Sequence, residues 1–412
     1  MTKLFLFIIT ISFFSFAFAQ DKNQLQLGSD RLISEYQHLI KGKSIGLVTN
    51  HTGLLSNGKH IADVLNGIEG VKLVALFGPE HGVRGDAPAG EKITDSFDAQ
   101  TGAHVYSLYG KYRKPTDEML QGIDLLIYDI QDIGARFYTY ISTLFYIVQT
   151  SAEKDIPLLV LDRPNPIDGI SVDGPVRAED QQSFVGIAPI PTMHGMTIGE
   201  LAKLFAGEEY IGKGLKPNLT VIEMKNWKRD SYFDDYNLPW TPPSPNIPDL
   251  ETAIVYPGIC LIEGVNVSEG RGTYHPFLTI GAPYINSDEL ISKLNEYGHD
   301  GLKLEKIDFT PVSIEAMATS PKNKDEECYG IKLSVIDRKK FQRVEFGVKL
   351  VSALHQLYGT KLKFRDAGFD RLAGDKKIRE MIMSDFSPEQ IFEYWRNDLN
   401  KFLTIREKYL LY

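Results

Sequence analysis

The chain has 412 residues, of which 43% are hydrophobic and 24% charged, with a formal net charge of −9. That length suffices for two or three domains and a sizeable core, and the negative charge argues against nucleic acid or an anionic membrane surface as the main partner. Two cysteines, Cys260 and Cys328, are too few for a disulfide scaffold, their pairing is open at this level, and no Cys/His cluster has zinc spacing.

Taken in order, the chain opens with Met1-Thr2-Lys3, an apolar run over residues 4–18, and the small-x-small site Ala17-Phe18-Ala19. Residues 1–19 read as a signal peptide, with Gln20 as the first mature residue and the periplasm or the medium as destination. The run falls short of the ~20 residues of a spanning helix, and no cysteine follows the cleavage site to carry a lipid. No stable membrane insertion is therefore expected after cleavage. From Gln20 onward strands and helices alternate. Strands are expected at 44–49, 71–77, 104–108, 122–130 and 156–161, and helices at 60–65, 137–152 and 196–205. Thr197 and Glu200 have capping-box spacing. Such alternation implies a mostly parallel sheet with helices on both faces. Five prolines between Leu238 and Pro248 break the pattern and mark a stiff crossing. Beyond it, strands at 278–280, 302–309 and 330–335 and helices at 287–297, 343–358 and 388–409 suggest an α+β arrangement. The expectation is an α/β domain over 20–240 and a smaller α+β domain over 241–412.

Polar clusters follow the expected strands. Asn50 and His51 follow the first. Glu80, His81, Arg84 and Glu91 sit in a glycine-laced loop after the second. Asp129, Arg136 and Tyr138 close and follow the fourth, and Asp162, Arg163 and Asn165 follow the fifth. In a parallel sheet these ends share one rim, where ligands of open α/β sheets bind. Some members also suit plainer roles, Asp132 as a helix cap and Asn165 in a turn. His194, just before a helix, is balanced between a ligand contact and a structural histidine. Glu263, Asn266, Glu269 and Arg271 crowd between glycines in 263–273. Carboxylates, amides and guanidinium groups of this kind suit a polyhydroxylated ligand or, for arginine, a carboxylate. Tyr106, Tyr109, Tyr138, Tyr140, Trp240 and Tyr274 lie near these loops as stacking faces.

Hydrolysis of a glycosidic bond commonly uses two carboxyl groups, for which Glu80, Glu91, Glu263 and Glu269 are candidates. A serine elbow, a P-loop and the G-x-G-x-x-G fingerprint are absent. A metal site built from Glu80, His81, Asp129 or His194 stays open as an alternative, although H-E-x-x-H is missing. The preferred reading has no metal and no cofactor.

The stretches GLVTNHTG, LFGPEHGVRG, AGE, DIQDIGARFYTY, DRPNP, PTMHGMTIGELA, PSPNIP, YPG and EGVNVSEGRGT occur in this order. As a set they resemble the exo-β-N-acetylmuramidase family (NamZ-like, glycoside hydrolase family 171), over residues 27–412. The resemblance implies a Rossmann-like N-terminal domain, a smaller C-terminal domain and an active-site cleft between them. It also implies release of terminal N-acetylmuramic acid (MurNAc) from peptidoglycan fragments such as MurNAc-β-1,4-GlcNAc, in cell-wall recycling. On that basis Glu80 is expected to be the general acid or its partner, with Glu91, Glu269, Asp129 or His194 as second group. Arg84, Arg136, Arg163 or Arg271 would meet the lactyl carboxylate of MurNAc. Two other classes remain open: a muropeptide-binding protein without catalysis, and a metal-dependent esterase or amidase on amino sugars. Oligomeric state is not legible.

Overall fold

The structure, a computed structural model, describes residues 24–85 and 96–412. The signal-peptide expectation and Glu91 lie outside these residues. Seven strands form the larger sheet: β1 (Ser44–Thr49), β2 (Lys72–Gly78), β3 (Ser96–Phe97), β4 (His104–Ser107), β5 (Leu125–Asp129), β6 (Leu158–Leu161) and β7 (Leu219–Ile222). Their order is β3-β4-β2-β1-β5-β6-β7. All neighbours pair in parallel except the two-residue β3, which runs antiparallel to β4. β5 and β6 are buried along their whole length, as strands covered on both faces must be. Side-chain alternation sorts each strand between two cores. Leu125 and Ile127 pack on the face covered by α1 (Gly28–Ser34) and α2 (Ile61–Asn66). Leu126 and Tyr128 pack on the opposite face, with α3 (Tyr140–Lys154) and α4 (Ile198–Gly207).

The second part of the chain begins with α5 (Leu250–Ile259). It continues through β8 (Thr279–Ala282), α6 (Ser287–Tyr297), β9 (Leu302–Phe309), β10 (Cys328–Val335), α7 (Arg343–Tyr358), α8 (Asp366–Ala373), α9 (Lys376–Met383) and α10 (Pro388–Arg406). β8-β10-β9 form an antiparallel sheet. The α3/α4 core continues without a break into the apolar side chains of α5, α7, β8 and β10. The architecture is therefore a mostly parallel α/β sheet joined to a smaller α+β unit, as the sequence implied. Cys260 and Cys328 are both buried free thiols.

Several elements depart from expectation for identifiable reasons. α5 has no signature in the sequence because nearly every one of its residues is buried, so it has no polar face and no helical period. Its Pro257 also reads as a breaker, and the helix indeed ends soon after it, at Ile259. β7 is a short edge strand with exposed positions. The helix expected from residue 137 starts at Tyr140, leaving 137–139 as a turn. The capping box of α4 is present: Thr197 Oγ1 accepts the Glu200 amide at 3.3 Å, and Glu200 accepts the Thr197 amide at 3.0 Å.

α5 and α7 cross at a pair of glycines. A Cβ on Gly258 would run into the Arg343 carbonyl, and one on Gly347 into the backbone of Gly258. Here the absence of a side chain is required for close approach. Gly258→Ala is expected to lower unfolding free energy by at least about 2 kcal/mol through overpacking, measured as a shift of the urea midpoint with an unchanged slope.

Candidate active site

The carboxyl ends of β2, β4 and β5 meet the second unit around a cleft of about 220 Å³. Glu80 and His81 enter from the turn after β2, Tyr109 from the loop after β4, and Tyr138 and Tyr140 from the start of α3. Tyr256, Cys260, Glu263 and Arg271 face them from the second unit. The cleft thus carries a carboxylate on each wall.

Local backbone geometry presents Glu80. Gly78-Pro79 ends β2, and the Gly82 amide bonds back to the Pro79 carbonyl at 3.0 Å. His81 takes φ 71° and Gly82 φ 75°. A non-glycine residue in this left-handed region costs of order 1–3 kcal/mol and persists where its surroundings enforce it. Burial, then the charge of the nearby Glu80, push the Tyr109 phenol up to about 12. Burial raises Tyr138 and Tyr140 as well, above the ordinary phenol value. The wall beside Glu80 is therefore made of neutral phenols, which offer both apolar ring faces and protons to donate.

The proline-rich segment closes the adjoining crevice. Tyr140 donates its hydroxyl to the Pro243 carbonyl at 2.6 Å, and His51 Nε2 lies 2.8 Å from the Pro242 carbonyl. Burial lowers the pKa of His51, so the neutral ring donates its Nε2–H. The strand order reverses between β1 and β5, the place where doubly wound folds bind their ligands. Leu238, Pro239 and Trp240 occupy the space above it, leaving a cavity of about 40 Å³.

On the opposite wall, ions form a chain. Arg271 donates to Glu263 at 2.7 Å and lies 3.4 Å from Glu269, which in turn pairs with Lys322 at 3.0 Å. Lys322 also donates to the carbonyls of Ile262 and Val267, at 2.7 and 3.0 Å. It fixes the turn that carries Glu263.

Of the residues nominated from sequence, Glu80, His81, Tyr138, Glu263 and Arg271 line the cleft, and Glu269 lines a neighbouring groove. Tyr109 and Tyr140, nominated as stacking faces, also line the cleft, and the other catalytic and binding candidates among the described residues make internal contacts. Asp129 and Arg163 form a buried bidentate pair at 2.6 and 2.8 Å. Arg84 is held by Asp63 and Asp98 at 2.7 and 2.8 Å. Arg136, fully buried, donates to the carbonyls of Pro175, Ile190 and Leu372. Asn50 Oδ1 accepts from the amide and hydroxyl of Thr52. Asn165 accepts from the Ile167 amide, and Asn266 bridges Lys361 and Lys363. His194 is buried, with Nδ1 accepting the Met196 amide and Nε2 3.7 Å from Asp132. Asp132 takes the Gly134 amide, so it serves a turn and not the α3 N-terminus. Tyr256 and Ser244, which also line the cleft, were not nominated. Tyr256 lies on the unrecognised α5 and Ser244 in the proline-rich segment.

Two family profiles together span nearly all of residues 45–412: exo-beta-N-acetylmuramidase NamZ, N-terminal, over 45–251, and its C-terminal counterpart over 254–412. The chain belongs to the NamZ family. A peptidoglycan beta-N-acetylmuramidase NamZ from Bacillus subtilis (strain 168) is 47% identical over 392 residues, which is 95% of this chain and 92% of the relative. Two DUF1343 family proteins of known structure from Bacteroides fragilis NCTC 9343 are each 35% identical. They superpose with TM-scores of 0.87 and 0.78, over 95% and 94% of this chain and 99% of each of theirs. In this NamZ-family chain the passage from one profile to the next falls at the start of α5, the helix that brings Tyr256 to the cleft.

Asp162 sits beyond β6 and accepts from the Arg163 and Gly199 amides and from the Thr197 and Tyr412 hydroxyls. Burial outweighs these bonds and raises its carboxyl to about 7. The folded chain therefore holds a proton that the unfolded chain releases near pH 4. The resulting stability is complete below that value and is lost as pH rises through about 7. Asp162→Asn is expected to flatten this part of the stability–pH curve, read from urea titrations at intervals between pH 4 and 8.

Proposed function

We propose that this chain is an exo-acting β-N-acetylmuramidase that releases terminal non-reducing MurNAc from peptidoglycan fragments such as MurNAc-β-1,4-GlcNAc. The observation that carries the reading is Glu80: the chain belongs to the NamZ family, and its strained β2 turn aims a carboxyl into a cleft walled by neutral phenols. Glu80 is the group that handles the proton of the glycosidic oxygen. Asp129 is paired with Arg163 away from the cleft, and Glu269 lines the neighbouring groove. Glu263 is the carboxylate that faces Glu80 from the other wall among the described residues, and it is the second member of the proposed pair. Tyr109 stands beside Glu80 on the same side of the cleft, close enough for its phenol to feel the carboxylate charge. The sugar ring rests among Tyr138, Tyr140 and Tyr256. The basic start, apolar run and Ala17-Phe18-Ala19 support export, and the activity is proposed to act in the periplasm or outside the cell, where peptidoglycan fragments are met.

Glu80→Gln is expected to lower kcat by at least about a thousandfold, within the range for loss of a proton-transfer group, while circular dichroism and the melting temperature stay near wild type. Chromatography of MurNAc-GlcNAc digests measures it, and near-normal MurNAc release by the variant removes Glu80 from the mechanism. Expression of the whole chain in a bacterium with an outer membrane is expected to yield periplasmic protein whose intact mass begins at Gln20; an unprocessed cytoplasmic product rules out export.

A further inference from the structure

The substrate of the proposed reaction carries a lactyl carboxylate, and the arginines nominated from sequence to receive it are engaged elsewhere. Arg163 is paired with Asp129, and Arg84 with Asp63 and Asp98. Arg136 is sealed in the core on carbonyl oxygens. Arg271 reaches the cleft but stands between two carboxylates, Glu263 and Glu269. A third anion brought to Arg271 would meet both of them at close range, where like charges repel.

A groove of about 340 Å³ opens beside the cleft, and the two share Glu263 and Arg271 as a common wall. Its other charged side chains are Glu269, Lys322 and Arg365. Lys322 is committed to Glu269 and two backbone carbonyls. With Arg271 set against Glu263 and Lys322 against Glu269, Arg365 supplies the groove's uncompensated positive charge. No carboxylate among the described residues pairs with it. The residue is exposed, yet its backbone is fixed: its amide donates to the Gly264 carbonyl at 2.8 Å, directly beside Glu263. A guanidinium mounted on a rigid turn, one residue from the cleft wall, is suited to bidentate capture of a carboxylate. At about 220 Å³ the cleft is smaller than the ~300 Å³ at which small-ligand pockets commonly begin, so a sugar seated on Glu80 extends its substituents into the groove.

We propose that Arg365 is the specificity-determining residue of this site, binding the lactyl carboxylate of the terminal MurNAc from the groove beside the cleft. This rests on the muramidase reading above. It separates two tasks: the Glu80 wall handles the glycosidic bond, and Arg365 distinguishes MurNAc from an amino sugar without the acid. Arg113 is the rival cation. It stacks on Phe184 at 4.5 Å, its charge is felt by Tyr109 at the other end of the cleft, and it likewise has no ion pair among the described residues.

The test is steady-state kinetics of wild type, Arg365→Met, Arg365→Lys and Arg113→Met on two chromogenic β-glycosides, one of MurNAc and one of its lactyl carboxamide. The amide keeps the shape and removes the charge. Wild type is expected to favour the acid through KM by at least about tenfold, the scale of a charged hydrogen bond. Arg365→Met is expected to bring the two KM values within about threefold of each other, Arg365→Lys to restore part of the preference, and Arg113→Met to leave it in place. In wild type the preference is also expected to shrink as salt is raised, because the groove is open to solvent. A preference that survives in Arg365→Met overturns the assignment, as does one lost in Arg113→Met instead. A wild-type enzyme that cleaves both glycosides equally overturns the charge-recognition proposal while leaving the muramidase reading standing. A wild type that cleaves neither glycoside nor MurNAc-GlcNAc overturns that reading, and this proposal with it.

Discussion

The cleft depends on how closely one buried helix approaches another. α5 meets α7 backbone to backbone at Gly258 and Gly347, and no side chain intervenes to loosen the contact. Tyr256 and Cys260 lie within two residues of that crossing, and the turn that follows delivers Glu263. The position of the whole second wall is therefore set by a van der Waals limit and not by a flexible side chain. The first wall is set just as firmly, by the enforced turn at His81 after a strand in the middle of the sheet. Two rigid supports facing each other are what proton transfer at a fixed oxygen requires.

Ion pairs near the rim serve placement more than stability. Asp129 with Arg163 is fully buried, and removing two charges from water cancels much of their attraction. What the pair supplies is direction: Arg163 also reaches the Leu54 carbonyl, tying the loops after β1, β5 and β6 together. The chain from Lys322 through Glu269 and Arg271 to Glu263 does the same on the other side. Arg136 spans the two units by donating to Leu372, a residue of the cleft wall.

The fold was legible where burial imposes a pattern. Strands such as Leu125–Asp129 are apolar on both faces because helices cover both, and a run of that kind between turn residues has few other readings. α5 was not legible because uniform burial erases helical period and Pro257 imitates a stop. The site was only partly legible, for a different reason. A polar residue after a strand looks the same whether it faces a ligand or satisfies its own backbone. Glu80 and Asp162 occupy equivalent places in the pattern. One opens into the cleft, while the other is consumed by two amides and two hydroxyls. Arg365 sits in no glycine-rich motif; that no carboxylate among the described residues pairs with it is visible only in the assembled groove.

The proline-rich segment has a further consequence. Doubly wound sheets ordinarily leave the crevice at the strand-order reversal open for a ligand, but here Leu238, Pro239 and Trp240 narrow it to about 40 Å³. The segment is stiffened by proline and anchored at both Pro242 and Pro243. It behaves as a strut, where many two-domain sugar-binding proteins have a hinge. A strut resists swinging shut on a guest, which favours a site shaped before the guest arrives. Recognition in such a molecule is a matter of fit to a standing mould, and its selectivity resides in the contour of the walls and not in the work of closing them.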